Sequence, residues 1–130
     1  MHTLGKDLTI DLGSDQPGTL GKAFDAIAKA GVNIDGYAEI GGTLHVLSGD
    51  SKATRRAVES AGFRITREDD VVVVNVPDRP GVAAGIFRQL GDANVNVGFS
   101  YVATGNRVVV GAANITKAVE IVARQAAIVS

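Results

Sequence analysis

The chain repeats itself at an offset of 63 residues, which constrains its architecture more than any other feature. The segment DQPGTLGKAFDAIAKAGVNI (15–34) aligns without gaps on DRPGVAAGIFRQLGDANVNV (78–97). Seven of the twenty positions are identical: Asp15/Asp78, Pro17/Pro80, Gly18/Gly81, Phe24/Phe87, Ala30/Ala93, Val32/Val95 and Asn33/Asn96. Average residue usage would give about one or two. The differences keep physical roles too. Gly31 becomes Asn94, and these two residue types best tolerate the left-handed backbone that ends a helix. Ile27 becomes Leu90 and Ile34 becomes Val97, both still apolar. Two copies of one supersecondary unit are therefore expected.

Periodicity fills in each copy. Leu8, Ile10 and Leu12 alternate with polar residues, as a half-buried strand does. Pro17 is expected at the first helical position, where its missing N–H costs nothing. Leu20, Phe24, Ile27 and Ala28 follow at helical spacing, and Gly31 closes the helix. Val32 to Ile40 alternates again, Gly41-Gly42 signals a hairpin, and Leu44 and Val46 begin the return strand. A weaker helix over 51–61 leads to an edge strand at 63–66. The second copy runs in the same order: strand 71–76, helix 82–93, strand 95–103, a Gly105-Asn106 hairpin, strand 108–110 and helix 115–124. Only 127–130 remain for its last strand. The expected fold class is α+β, two tandem βαββαβ modules over 1–66 and 67–130, each an antiparallel sheet with helices on one face. The polar junction at 66–69 has no Pro or Gly, which implies modules packed together. Two modules of ~60 residues would also be marginal alone. VVVVN (71–75) reads as a strand buried on both faces.

Composition narrows the function classes. Residues 1–66 carry 7 Lys+Arg against 8 Asp+Glu, and residues 67–130 carry 6 against 6. Neither half has a basic excess to neutralise a phosphate backbone, so no nucleic-acid partner is expected. The absence of cysteine excludes disulfides, thiolate–zinc sites and thiol catalysis, and suits a cytoplasmic location. No apolar run exceeds four residues, so neither a leader nor a membrane partner is expected.

Asp-x-Pro-Gly opening a helix, with Val-Asn-Ile/Val ~14 residues later, resembles the ACT domain, a ferredoxin-like regulatory module of amino-acid metabolic enzymes. The likeness covers nearly the whole chain, twice. It implies a stand-alone regulatory protein that senses a small effector, most often an amino acid, where modules pair. It also implies a homodimer and a partner metabolic enzyme, with no catalytic residue, cofactor or metal. The family's binding positions fall on Asp15, Gln16, Pro17, Gly18, Thr19 and Leu20, with Asn33 and Ile34. In the second copy they fall on Asp78, Arg79, Pro80, Gly81, Val82 and Ala83, with Asn96 and Val97.

The residue types suit that role. A helix N-terminus offers unpaired N–H groups and partial positive charge to a carboxylate. Gly18 and Gly81 lack the Cβ that would hold a ligand off the backbone. Asn33 and Asn96 can donate and accept, and Asp15 or Asp78 could pair with an ammonium. Each has a plainer alternative. Pro-Gly can simply start a helix, the aspartates can cap it, and the asparagines can bond their own backbone. Phe24 and Phe87 read as core. Ala83 in place of Leu20 and Arg79 in place of Gln16 make the second copy either degenerate, suited to an acidic ligand, or accessory to the first. His45 on a strand and His2 near the terminus make no metal site. Three other functions compete: a ligand-free docking subunit, an acylphosphatase-like enzyme using Arg79 and Asn96, and RNA binding through Tyr37, Phe99 and Tyr101.

Overall fold

The computed structural model describes residues 2–13 and 16–129, with side chains described as far as Arg124. It divides into two compact units, Lys6–Asp69 and Met1–Gly5 together with Asp70–Ser130. Ten elements follow in order, four helices and six strands among the described residues: β1 (His2–Asp11), α1 (Thr19–Lys29), β2 (Ile34–Ile40), β3 (Thr43–Ser48), α2 (Ser51–Ser60), β4 (Arg64–Asn75), α3 (Val82–Asp92), β5 (Val97–Ala103), β6 (Arg107–Ala112) and α4 (Ile115–Val129). The polar junction expected at 66–69 is not a linker. It lies inside β4, and Thr66 Oγ1 donates to the carbonyl of Thr9 at 3.3 Å as that strand runs beside β1.

In unit 6–69, β3 pairs antiparallel with both β1 and β2, with Thr9 opposite His45 and Ala38 also opposite His45. Alternation then sorts the faces. Leu8, Ile10, Leu44 and Val46 point to the helices and form a buried cluster with Ala23, Ile27 and Val58. Asp7, Thr9, His45 and Leu47 take the other face, where Asp7, Thr9 and Leu47 are also buried. α2 begins at Asp50, whose Oδ1 accepts from the N–H of Ala53 at 3.0 Å, an N-cap of the usual kind.

Unit 70–130 repeats this plan. β6 pairs antiparallel with β4 and β5, and Val72, Val74 and Val110 pack against Ile86, Leu90, Ala118 and Val122 of the helices. All four valines 71–74 are buried, as a strand covered on both faces requires. The two units match in detail. Gly31 (φ 75°) and Asn94 (φ 60°) both end a helix left-handed, with Val32 N–H donating to Ile27 and Val95 N–H to Leu90. The register slips at equivalent places, Ile34/Gly36 and Val97/Phe99.

Two expectations fail here. The stretch left for a final strand, 127–130, does not form one: α4 continues to Val129, because ARQAAIV holds no Gly or Pro to stop it. Phe87 is not core; it is 36% exposed, since α3 turns its neighbour Ile86 and Leu90 inward instead. Phe24 is half-buried and meets Tyr37 edge to face, ring centroids 5.0 Å apart. Among the described residues, no helix is long and apolar enough to cross a membrane.

Candidate functional site

The Pro-Gly pairs form turns, not helix starts. Thr19 N–H donates to the carbonyl of Gln16 at 3.2 Å, and Gly18 sits at φ 90°, ψ −12°. Val82 N–H reaches the carbonyl of Arg79 at 3.4 Å, with Gly81 at φ 89°, ψ −12°. These are type II turns, which want Pro at the second position and Gly at the third. Pro17 therefore precedes the helix by two residues, a correction to its expected place at the first helical position. The glycines are required by backbone angle rather than crowding, since a Cβ at either would meet nothing within 4 Å.

A glycine occupies the N-cap of α1 and of α3, so neither N-cap residue supplies a side-chain cap. By contrast α2 is capped by Asp50, and Asn114 Oδ1 accepts from Lys117 N–H at the start of α4. Asp78 does not cap α3. Asp15 lies outside the described residues. The two loops singled out in the sequence thus lead into the two helices whose N-cap residue is a glycine, and the partial positive charge of a helix N-terminus favours an anion there.

Replacing Gly18 or Gly81 with alanine should cost roughly 1 kcal/mol through the left-handed angle. Gly21, inside α1 and equally uncrowded, should respond in the opposite sense, with Gly21→Ala stabilising by up to about 1 kcal/mol. Urea unfolding of the three variants separates the two effects. A Gly18→Ala variant as stable as the parent would contradict the turn assignment.

The other expected residues divide between core and surface. Leu20, Ile34 and Val97 pack against the two cores and Val82 is buried, so these four serve the fold first. Asn33 is exposed and its Nδ2 donates to Asp35 Oδ1 at 3.1 Å. It lies beside a hollow of about 390 Å³ lined by Phe24, Val32, Ile34 and Tyr37. Gly18 borders a different, shallow groove of about 680 Å³ between α1 and α2, with Lys22, Ala26 and Ala57. Loop and asparagine of one unit are separated by an 11-residue helix, about 16 Å at 1.5 Å per residue.

At the second loop, Asp78, Arg79 and Ala83 share a pocket of about 210 Å³ with Val102, Asn106 and Arg107. The pocket is completed by the β5–β6 turn rather than by Asn96 or Val97. That contribution was missed in the sequence, where Gly105-Asn106 signals a hairpin but nothing says which loop its tip will meet. The topology supplies the answer: Val76 N–H donates to the carbonyl of Asn106 at 2.8 Å, placing the turn beside the end of β4. A second missed feature is buried. Asp7 Oδ2 lies 2.9 Å from His45 Nδ1, and Thr9 Oγ1 donates to the same oxygen at 3.2 Å. No group of three or more metal-ligating side chains occurs among the described residues.

No family model matches the chain, and no curated protein does. Solved structures do. A protein of Bacteroides thetaiotaomicron superimposes with a TM-score of 0.80 at 24% identity, over 95% of this chain and 90% of that one. The regulatory subunit of aspartate kinase from Thermus flavus gives 0.68 at 17%, over 96% and 95%. Aspartokinase III of E. coli, in complex with lysine and aspartate, gives 0.59 at 14%; the match covers 95% of this chain and 31% of that enzyme. These likenesses establish the class of fold: an ACT-like α+β fold of the kind built into aspartate kinase regulatory domains.

Proposed function

We propose that this protein is a regulatory amino-acid sensor built from tandem ACT-like modules and not an enzyme. The observation that carries the reading is the pair of glycine-capped helix N-termini, set by matching Pro-Gly turns in a fold shared with regulatory subunits of an amino-acid kinase. An α-carboxylate suits such a terminus. Asn33 and Asn96 are proposed to hold the ammonium end. An 11-residue helix separates each asparagine from the loop of its own unit. A ligand touching both kinds of group is proposed to take them from two modules. Occupancy then favours the paired arrangement, which is how a small effector shifts association or the affinity for a partner metabolic enzyme. A cytoplasmic setting, where free amino acids are abundant, completes the proposal.

The test is thermal unfolding of the whole chain against the twenty amino acids, with glycerol as a control. A ligand at ~100 times its dissociation constant adds ~2.7 kcal/mol and raises the midpoint by several degrees. Asn33→Ala should remove the shift. A flat panel would leave the second reading, a docking subunit without ligand, which the exposed Leu4, Ile40 and Val102 favour.

A further inference from the structure

The pocket at the second loop carries charges of a definite pattern. Two arginines line it, Arg79 from the turn before α3 and Arg107 from the start of β6, with Asp78 as the single acidic residue. Arg107 Nε donates to the carbonyl of Thr104 at 2.7 Å and its Nη2 to Thr104 Oγ1 at 2.9 Å. Both acceptors are neutral, so the guanidinium is oriented without being neutralised. Among the described residues, the side chains of Arg79 and Asp78 have no hydrogen-bond or ion-pair partner. The uncapped start of α3 adds partial positive charge immediately after Arg79 and Pro80.

The ligand that matches two cations and one anion has two anions and one cation. At about 210 Å³ the pocket is smaller than the roughly 300–1,000 Å³ of sites for drug-sized molecules. Val76, Ala83, Val102 and Val108 supply apolar walls for a short methylene chain. We infer that this pocket binds an acidic α-amino acid. One carboxylate is held by Arg79 and the α3 N-terminus, the other by Arg107, and the ammonium by Asp78 together with the asparagine of a second module. The assignment rests on the amino-acid-sensing reading and gives it a ligand class. The first loop, with Gln16 in place of Arg79, lacks the matching cation at that position.

Isothermal titration calorimetry of the full chain at low salt, with aspartate, glutamate, asparagine, glutamine and succinate, tests it. Aspartate or glutamate should bind about tenfold or more tightly than its amide, because each charge-assisted contact contributes on that scale. Arg79→Gln and Arg107→Gln should each weaken it about tenfold or more, and Asp78→Asn should weaken the amino acid while sparing succinate. Arg79 is exposed, so its variant should keep the parent's thermal midpoint even if Arg107→Gln loosens the turn. An amide binding as tightly as its acid, or acid binding that survives both arginine substitutions, overturns this assignment and leaves the sensor reading standing. If no amino acid binds in this or the thermal panel, both fall.

Discussion

Replacing His45 with alanine is expected to lower the unfolding free energy by on the order of 3 kcal/mol, the largest single-residue effect outside the apolar cores. The reason lies with its neighbour. Asp7 is fully buried on the face of β1 turned away from the helices, and His45 Nδ1 stands 2.9 Å from its Oδ2. A carboxylate accepts only, so Nδ1 is the donor. Removing the imidazole leaves that buried carboxylate one donor short, and part of its desolvation cost is then no longer offset. His45 itself is 19% exposed, so most of the loss comes from the aspartate's side of the pair.

That account fixes how the loss should respond to second substitutions. Thr9→Val removes a smaller part, about 1 kcal/mol, because its hydroxyl donates to the same oxygen at the longer 3.2 Å. Combining His45→Leu with Asp7→Val should recover much of the His45→Ala loss, since an apolar pair has no charge to strand. Urea unfolding of the single and double variants gives the coupling. If His45→Ala changed stability by less than about 0.5 kcal/mol, the close pairing would not be holding the sheet together.

His45 also shows where sequence reading stopped. Two isolated histidines made no metal site, which was as far as spacing could go, because Asp7 and His45 are 38 positions apart. Their meeting is decided by the β1–β3 register, which places Thr9 opposite His45. The repeat, by contrast, was legible because identical backbone demands leave identical residues: Pro-Gly for a type II turn, Gly31 or Asn94 for a left-handed helix end. The candidate loops were legible for the same reason. Arg107 as a pocket residue was not, since a hairpin turn advertises its own geometry and not the loop it will meet. The extent of α4 was lost to symmetry: the first copy ends in a strand, and the second copy's AIVS was read by analogy against its own helix-forming composition.

Gly111→Ala is expected to destabilise the protein by about 1–2 kcal/mol, and the sign is the informative part. A strand glycine ordinarily gains from a methyl group, because the unfolded chain loses freedom worth ~0.4–1 kcal/mol. At Gly111 the methyl has nowhere to go. Its Cβ would lie 2.3 Å from Phe99 Cζ and 2.5 and 2.7 Å from two neighbouring ring carbons, so the ring lies across the glycine. The two residues are register partners on β6 and β5. Phe99 cannot swing aside freely, since its ring stacks on the buried Tyr101 at 6.3 Å and 13°. Displacing it disturbs a contact as well as a position, at roughly 1–3 kcal/mol. The same substitution in a Phe99→Leu background should cost less, because the smaller side chain vacates the space above the glycine. Thermal or urea unfolding of the two singles and the double completes the cycle. A Gly111→Ala protein more stable than the parent would mean that the ring is not held there, and with it that this β5–β6 contact is not what calls for a glycine near the end of an otherwise valine-rich strand.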